Sequence, residues 1–154
     1  MTALTTTAPG RTSRWTPGTV AATSLVFGGA CMVIINLSMN RPNHDDIAST
    51  DLYVGAFIVG MAAIVYAVAR AVWGNPDRCA KAGLALGILL VLATPVWFSL
   101  SQPVLGIGAI ALALRARDAH VRPRMTMSAL VLGGLGLLVG VVFSLASVIH
   151  YFVS

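Results

Sequence analysis

The stretch 101–117, SQPVLGIGAIALALRAR, poses the geometric problem on which the fold depends. Its apolar part, residues 103–114, is hydrophobic enough for a membrane interior, but a helix of about 12 residues rises only about 18 Å. The hydrocarbon core of a bilayer is about 30 Å thick. The run is therefore too short to be an ordinary span, and its role depends on the segments around it.

The composition of the whole chain indicates an integral membrane protein. Of its 154 residues, 57% are apolar and only 10% are charged, whereas soluble domains carry about 25% charged residues. The formal charge is +5, and the basic residues stand at the ends of apolar segments, where membrane orientation explains them better than nucleic acid does. We therefore expect an all-α helical bundle in a lipid bilayer, with no nucleic-acid partner.

Three long apolar segments are predicted to cross the membrane. They cover residues of about 18–39, 52–73 and 127–151, and each is long enough for the hydrocarbon core. Residues 1–17 are rich in Thr, Pro and Arg and are predicted to form a flexible cytoplasmic tail. The remaining residues, 18–154, then form a single transmembrane domain.

The region 82–114 is predicted to fold as a helical hairpin broken by proline. As one straight helix it would be about 50 Å long, and Pro95 and Pro103 would break or kink it. We predict a turn that contains both prolines and Gln102. The predicted arms cover about 82–100 and 103–114. Length leaves open whether they cross fully or re-enter, and a plain four-helix membrane bundle is the alternative.

Positive charge favours the hairpin over a single crossing. Four arginines follow the region within ten residues: Arg115, Arg117, Arg122 and Arg124. Basic loops stay in the cytoplasm, and the tail and the loop 74–81 are basic as well, whereas the loop 40–51 is acidic. A hairpin puts every basic loop on one side. The N-terminus is therefore predicted to be cytoplasmic and the C-terminus external.

Small residues at four-residue spacing predict close helix packing. Gly136, Gly140 and Ser144 share one face of the last span, and Gly83 and Gly87 share one face of the first hairpin arm. In a membrane, such faces let two helix backbones approach closely. Packing within the chain and packing between chains are both open interpretations.

The region 83–140 resembles a known family. A Gly-rich arm, GLALGILLVL, is followed by PVLGIGAIALALRAR with its basic exit, and this order is similar to that of small bacterial, actinobacterial-type membrane proteins with domain of unknown function 4190. The matching positions are Gly83, Gly87, Pro103, Gly106, Ile107, Ala109, Ile110, Ala113 and Arg115. The resemblance implies a multi-pass protein of a bacterial cell membrane, and it transfers no catalytic residue.

Two weaker signals have alternative interpretations. The sequence GGAC ending at Cys31 resembles a lipoprotein signal, but apolar MVIINL follows it, so Cys31 is predicted to be an apolar filler of the first span. His44 beside Asp45 and Asp46 could contribute to a metal site. No second cluster of metal ligands accompanies them, so a solvated loop is predicted.

The predicted spans lack the residues that usually carry chemistry in a membrane. No Asp, Glu or Lys lies inside them, whereas such a group usually marks transport or a proton relay. Hydrolase, metalloprotease and phosphate-loop motifs are also missing. We therefore predict a non-enzyme with no catalytic, cofactor-binding or metal-binding residue and no cofactor.

Two functional classes follow from these observations. Small-residue helix faces and short loops favour a structural or accessory component that forms a homo-oligomer or joins a larger membrane complex. The broken hairpin is typical of a small oligomeric channel or transporter, because irregular backbone in a membrane often lines a cavity. The accessory role is the prediction, and the channel or transporter is the alternative.

Overall fold

The protein, represented by a computed structural model, is all-helical over the residues that the structure describes, namely 15–38, 44–93 and 101–153. The helices are α1 (Pro17–Ser38), α2 (His44–Val72), α3 (Pro76–Ala93), α4 (Ser101–Asp118) and α5 (Pro123–Val153). Three of them, α1, α2 and α5, are long and apolar enough to cross a membrane. The all-α class and the three long apolar helices agree with the prediction from sequence.

Proline stands at the first position of three helices: Pro17 in α1, Pro76 in α3 and Pro123 in α5. The first N–H groups of a helix have no partner inside it, so proline loses no hydrogen bond there and its fixed φ favours the helix. These three prolines therefore mark helix starts.

Side chains cap two of these starts. Thr16 Oγ1 accepts a hydrogen bond from the Thr19 N–H at 3.1 Å, and Thr19 Oγ1 accepts one from the Thr16 N–H at 2.7 Å. This reciprocal pair is a capping box. At α3, Asn75 Oδ1 accepts hydrogen bonds from the N–H groups of Asp77 at 3.0 Å and Arg78 at 3.3 Å. These bonds fix where α1 and α3 begin.

Several helices extend beyond the predicted apolar segments. Residues 44–51 are helical, where a polar loop was predicted, and α3 and α5 begin before the predicted positions 82 and 127. A helix can be longer than its hydrophobic segment, because capping and turn residues determine where a helix begins and ends. The predicted turn residue Pro95 and most of the predicted tail, residues 1–14, lie outside the described residues.

The returning arm of the predicted hairpin, α4, also begins earlier than predicted. Gln102 and Pro103 lie in the first turn of α4, which starts at Ser101. Proline is tolerated there because the N–H groups of the first turn have no partner within the helix. The two residues therefore start the returning helix, although they were predicted to form the turn before it.

Helix α4 lies at the centre of the bundle and contacts each of the other four helices. Val104, Leu105 and Leu112 are completely buried, and buried positions occur all round the helix. A helix that is hydrophobic on every side is typically enclosed in this way. Because α1, α2, α3 and α5 surround it, α4 does not need the length or the surface of a lipid-exposed span.

Contacts at the glycines define the helix directions. Gly83 of α3 lies against Leu112 of α4, and Gly108 of α4 lies against Leu86 of α3, so α3 and α4 are antiparallel. Gly140 and Gly133 of α5 lie against positions 103 and 110 of α4, so α4 and α5 are antiparallel as well. The α2–α3 turn and the α4–α5 turn are therefore at the same end of the bundle.

The outward surface of the bundle is apolar. Large hydrophobic side chains are exposed on α1, α2, α3 and α5, for example Val26, Val59, Leu92 and Leu138. An apolar exterior of this extent is typical of helices that face lipid, because in water it would promote association. The surface is thus compatible with a membrane protein whose core is α4.

Candidate functional site

Basic side chains gather at the end of the bundle that holds the α2–α3 and α4–α5 turns, here called the basic end. Its basic residues are Arg70, Arg78, Lys81, Arg115, Arg117, Arg122 and Arg124. Its described acids are Asp77 and Asp118. The four arginines predicted to set the topology are therefore together, close to Arg78 and Lys81 at the start of α3. Which side of a membrane this end faces stays a prediction.

Asp77, in the first turn of α3, pairs with a residue of its own helix and with a residue of the α4–α5 turn. Its Oδ2 lies 2.9 Å from Lys81 Nζ, one turn later in α3. Its Oδ1 accepts a hydrogen bond from Arg122 Nε in the α4–α5 turn. The hydrogen bonds from Lys81 and then Arg122 are the main causes that lower the pKa of Asp77 below its ordinary value. The start of α3 is thereby linked to the start of α5.

Arg115 and Trp73 make a second link, between the ends of α4 and α2. The Arg115 guanidinium carbon lies 5.9 Å from the centroid of the Trp73 ring, which is within the range of a cation–π interaction. Nearby, the buried Cys79 thiol donates a hydrogen bond to the Val72 carbonyl oxygen at 3.1 Å. These contacts tie α2, α3 and α4 together at the basic end.

The predicted packing residues lie between α3, α4 and α5. A Cβ on Gly83 would lie 3.1 Å from the Ala109 carbonyl oxygen, and one on Gly140 would lie 3.2 Å from Pro103 Cδ. Two further close pairs join α3 to α5: Gly87 with Leu132, and Gly136 with Leu90. Ser144 is buried and donates a hydrogen bond to the Gly140 carbonyl oxygen at 2.9 Å. The four glycines therefore lie at contacts between helices of this chain, whereas the hydrogen bond of Ser144 stays within α5.

The search for glycines four residues apart missed a close contact between the backbones of α4 and α5. A Cβ on Gly106 would lie 2.9 Å from the Gly133 carbonyl oxygen, and a Cβ on Gly133 would lie 2.9 Å from the Gly106 carbonyl oxygen. Ala129 stands four residues before Gly133 and is completely buried. A search that accepted alanine as well as glycine would have found this face of α5.

Cysteines and metal ligands add no further site among the residues that the structure describes. Cys31 is buried in α1, and both it and Cys79 are free. Nowhere in the ranges 15–38, 44–93 and 101–153 do three His, Cys, Asp or Glu side chains come together in a way that could hold a metal ion. The side chains of His44, Asp45 and Asp46, the weak metal signal of the sequence, lie outside the described residues.

One face of α2 presents small residues to the exterior, and we call it the outer face of α2. It consists of Ala56, Gly60, Ala63, Ala67 and Ala71, all of them exposed. The buried residues of α2 are Ile58, Ala62, Val65 and Ala69. At about 100° per residue the two sets point in opposite directions, and nothing lies within 4 Å of a Cβ on Gly60. Among the residues that the structure describes, none covers Gly60, and all five small side chains are left exposed.

Comparison with protein-family models, curated proteins and solved structures finds no match to this chain. The resemblance to the family with domain of unknown function 4190 therefore stays a prediction.

Proposed function

We propose that the protein is a non-catalytic structural or accessory component of a cell membrane, which joins a larger membrane complex or associates with copies of itself. One observation carries this proposal: α4 fills the centre of the bundle with completely buried side chains such as Leu105 and Leu112. The predicted glycine faces are used in packing around this centre. The surface left for a partner in the membrane is the apolar exterior.

The filled centre favours the accessory role over a channel or transporter. A path through a single chain would have to displace α4, which packs against all four other helices. Within the exterior, the outer face of α2 suits a partner helix best, because small residues allow close backbone approach.

The test is purification of the full chain in a gentle detergent, followed by identification of the chains that purify with it. We compare Ala67→Phe on the outer face of α2 with Ala146→Phe, an equal change at an exposed position of α5. An accessory role predicts a defined complex, or a homo-oligomer, that Ala67→Phe reduces at least about tenfold and Ala146→Phe leaves intact.

A different result would contradict the proposal. If the chain purifies as a homo-oligomer that conducts ions in liposomes, the channel alternative replaces the accessory role. If both variants retain every associated chain, the outer face of α2 is not the surface of association.

A further inference from the structure

A cavity opens at the turn between α4 and α5, at the basic end, and we call it the turn cavity. Its volume is about 260 Å³. It is lined by Arg117, His120, Val121, Pro123, Thr126 and Met127. From this arrangement we propose that the turn cavity binds the phosphate-bearing headgroup of an anionic phospholipid. The inference goes beyond the proposed function and does not depend on it.

The shape of the turn is held by the backbone. His120 and Arg122 adopt left-handed φ angles of 54° and 47°, a region that non-glycine residues enter rarely. The Val121 carbonyl oxygen accepts a hydrogen bond from Thr126 Oγ1 at 3.0 Å, and the Val121 N–H donates to the Ala116 carbonyl oxygen at 3.2 Å. The backbone of the turn that lines the cavity is therefore fixed by the fold.

Charge in and around the turn cavity favours an anion. Arg122 is directed away to Asp77, whereas Arg117 is exposed and forms no ion pair with any residue in the described ranges. Arg124 is exposed one residue into α5. An exposed guanidinium is a good donor for phosphate oxygens. Arg117 is therefore the residue that we expect to contact the phosphate.

The apolar part of the wall favours a lipid over a free phosphate. Met127 lines the turn cavity and is 59% exposed, and Val131, one turn further along α5, is 55% exposed. These side chains continue from the cavity onto the lipid-facing surface of α5. A phospholipid has the same order, a charged phosphate followed by acyl chains, and basic sites beside membrane helices suit anionic headgroups.

The experiment measures thermal unfolding of the full chain in detergent with added phosphatidylglycerol, phosphatidylcholine or inorganic phosphate. We expect phosphatidylglycerol to raise Tm more than phosphatidylcholine does. Arg117→Gln should at least halve this difference, whereas Arg78→Gln, which removes an exposed charge elsewhere at the basic end, should preserve it. Equal losses in the two variants would overturn the proposal, because they would indicate unspecific attraction to positive charge.

A second variant separates the cavity from the charge. Met127→Trp fills part of the turn cavity from an exposed position and leaves the net charge unchanged. Met127→Trp should reduce the preference for phosphatidylglycerol. This test remains available if Arg117→Gln does not fold. An unchanged preference in Met127→Trp would overturn the proposal. If inorganic phosphate alone raised Tm as much as phosphatidylglycerol does, the ligand would be free phosphate and the proposal of a lipid would be wrong.

Discussion

At the scale of single residues, two adjacent glycines of α5 differ in the space around them: Gly133 is crowded and Gly134 is open. A Cβ on Gly133 would lie 2.8 Å from Ile110 Cγ1 and 2.9 Å from the Gly106 carbonyl oxygen, whereas a Cβ on Gly134 meets nothing within 4 Å. A backbone oxygen cannot rotate away as a flexible side chain can. The same added methyl group therefore has opposite consequences at neighbouring positions.

We predict that Gly133→Ala lowers the free energy of unfolding by about 1–3 kcal/mol, because it overpacks the contact between α4 and α5. Gly134→Ala should raise it by up to about 1 kcal/mol, since alanine is the better helix former and has room there. Unfolding in mixed detergent micelles measures both. Equal effects of the two substitutions would contradict the predicted contact between the α4 and α5 backbones.

The ion pairs of Asp77 predict how stability depends on pH. Lys81 and Arg122 lower the pKa of Asp77 below its ordinary value of 3.8. A lowered folded-state pKa stabilises the fold above the unfolded-state pKa, and this contribution is lost as the pH falls through the folded-state pKa. The Tm advantage of the natural chain over Asp77→Asn should therefore be constant at neutral pH and shrink below about pH 4.

Salt provides the control for this titration. Exposed ion pairs are screened by added salt, so the advantage over Asp77→Asn at neutral pH should also shrink at about 1 M salt. An advantage that grows on acidification would show that Asp77 does not act through Lys81 and Arg122.

At the scale of elements, the sequence predicted which segments are helical better than it predicted what they touch. Hydrophobic length found α1, α2 and α5, because a membrane imposes that length on any exposed span. It placed the start of α2 at 52, although the helix begins at His44, since polar residues at a helix end carry no hydrophobic signal. The outer face of α2 was likewise not predicted, because which face is buried depends on the neighbouring helices.

Helix α4 shows why a short apolar run was ambiguous. Most of its residues are buried among four helices, and its first turn contains Gln102 and Pro103. A periodic hydrophobic pattern indicates a helix with one buried face, but the apolar residues of α4 are buried on most sides and create no such pattern. The sequence therefore predicted its return toward Arg115 and Arg117 from charge, whereas its central position follows only from the three-dimensional packing.

At the scale of the whole molecule, the ends of the helices form two groups. Two pairs, Arg115 with Trp73 and Arg122 with Asp77, are in contact at the basic end. Val153 ends α5 at the opposite end of the bundle. Positive charge of this kind favours the cytoplasmic side of a membrane. The packing places the α2–α3 turn and the α4–α5 turn at one end of the bundle. The positive charge of that end predicts that it faces the cytoplasm.

This orientation predicts which positions an impermeant thiol reagent can reach in intact cells. In a chain with Cys31→Ala and Cys79→Ala, the variants Gly74→Cys and Ala119→Cys should be labelled only after the membrane is opened, because both turns belong to the basic end. Val153→Cys, where the natural side chain is 82% exposed, is the control and should be labelled from outside. Labelling of Gly74→Cys and Ala119→Cys from opposite sides would contradict the shared end. Labelling of both from outside would leave the fold intact and reverse its orientation, because the basic end would then face away from the cytoplasm.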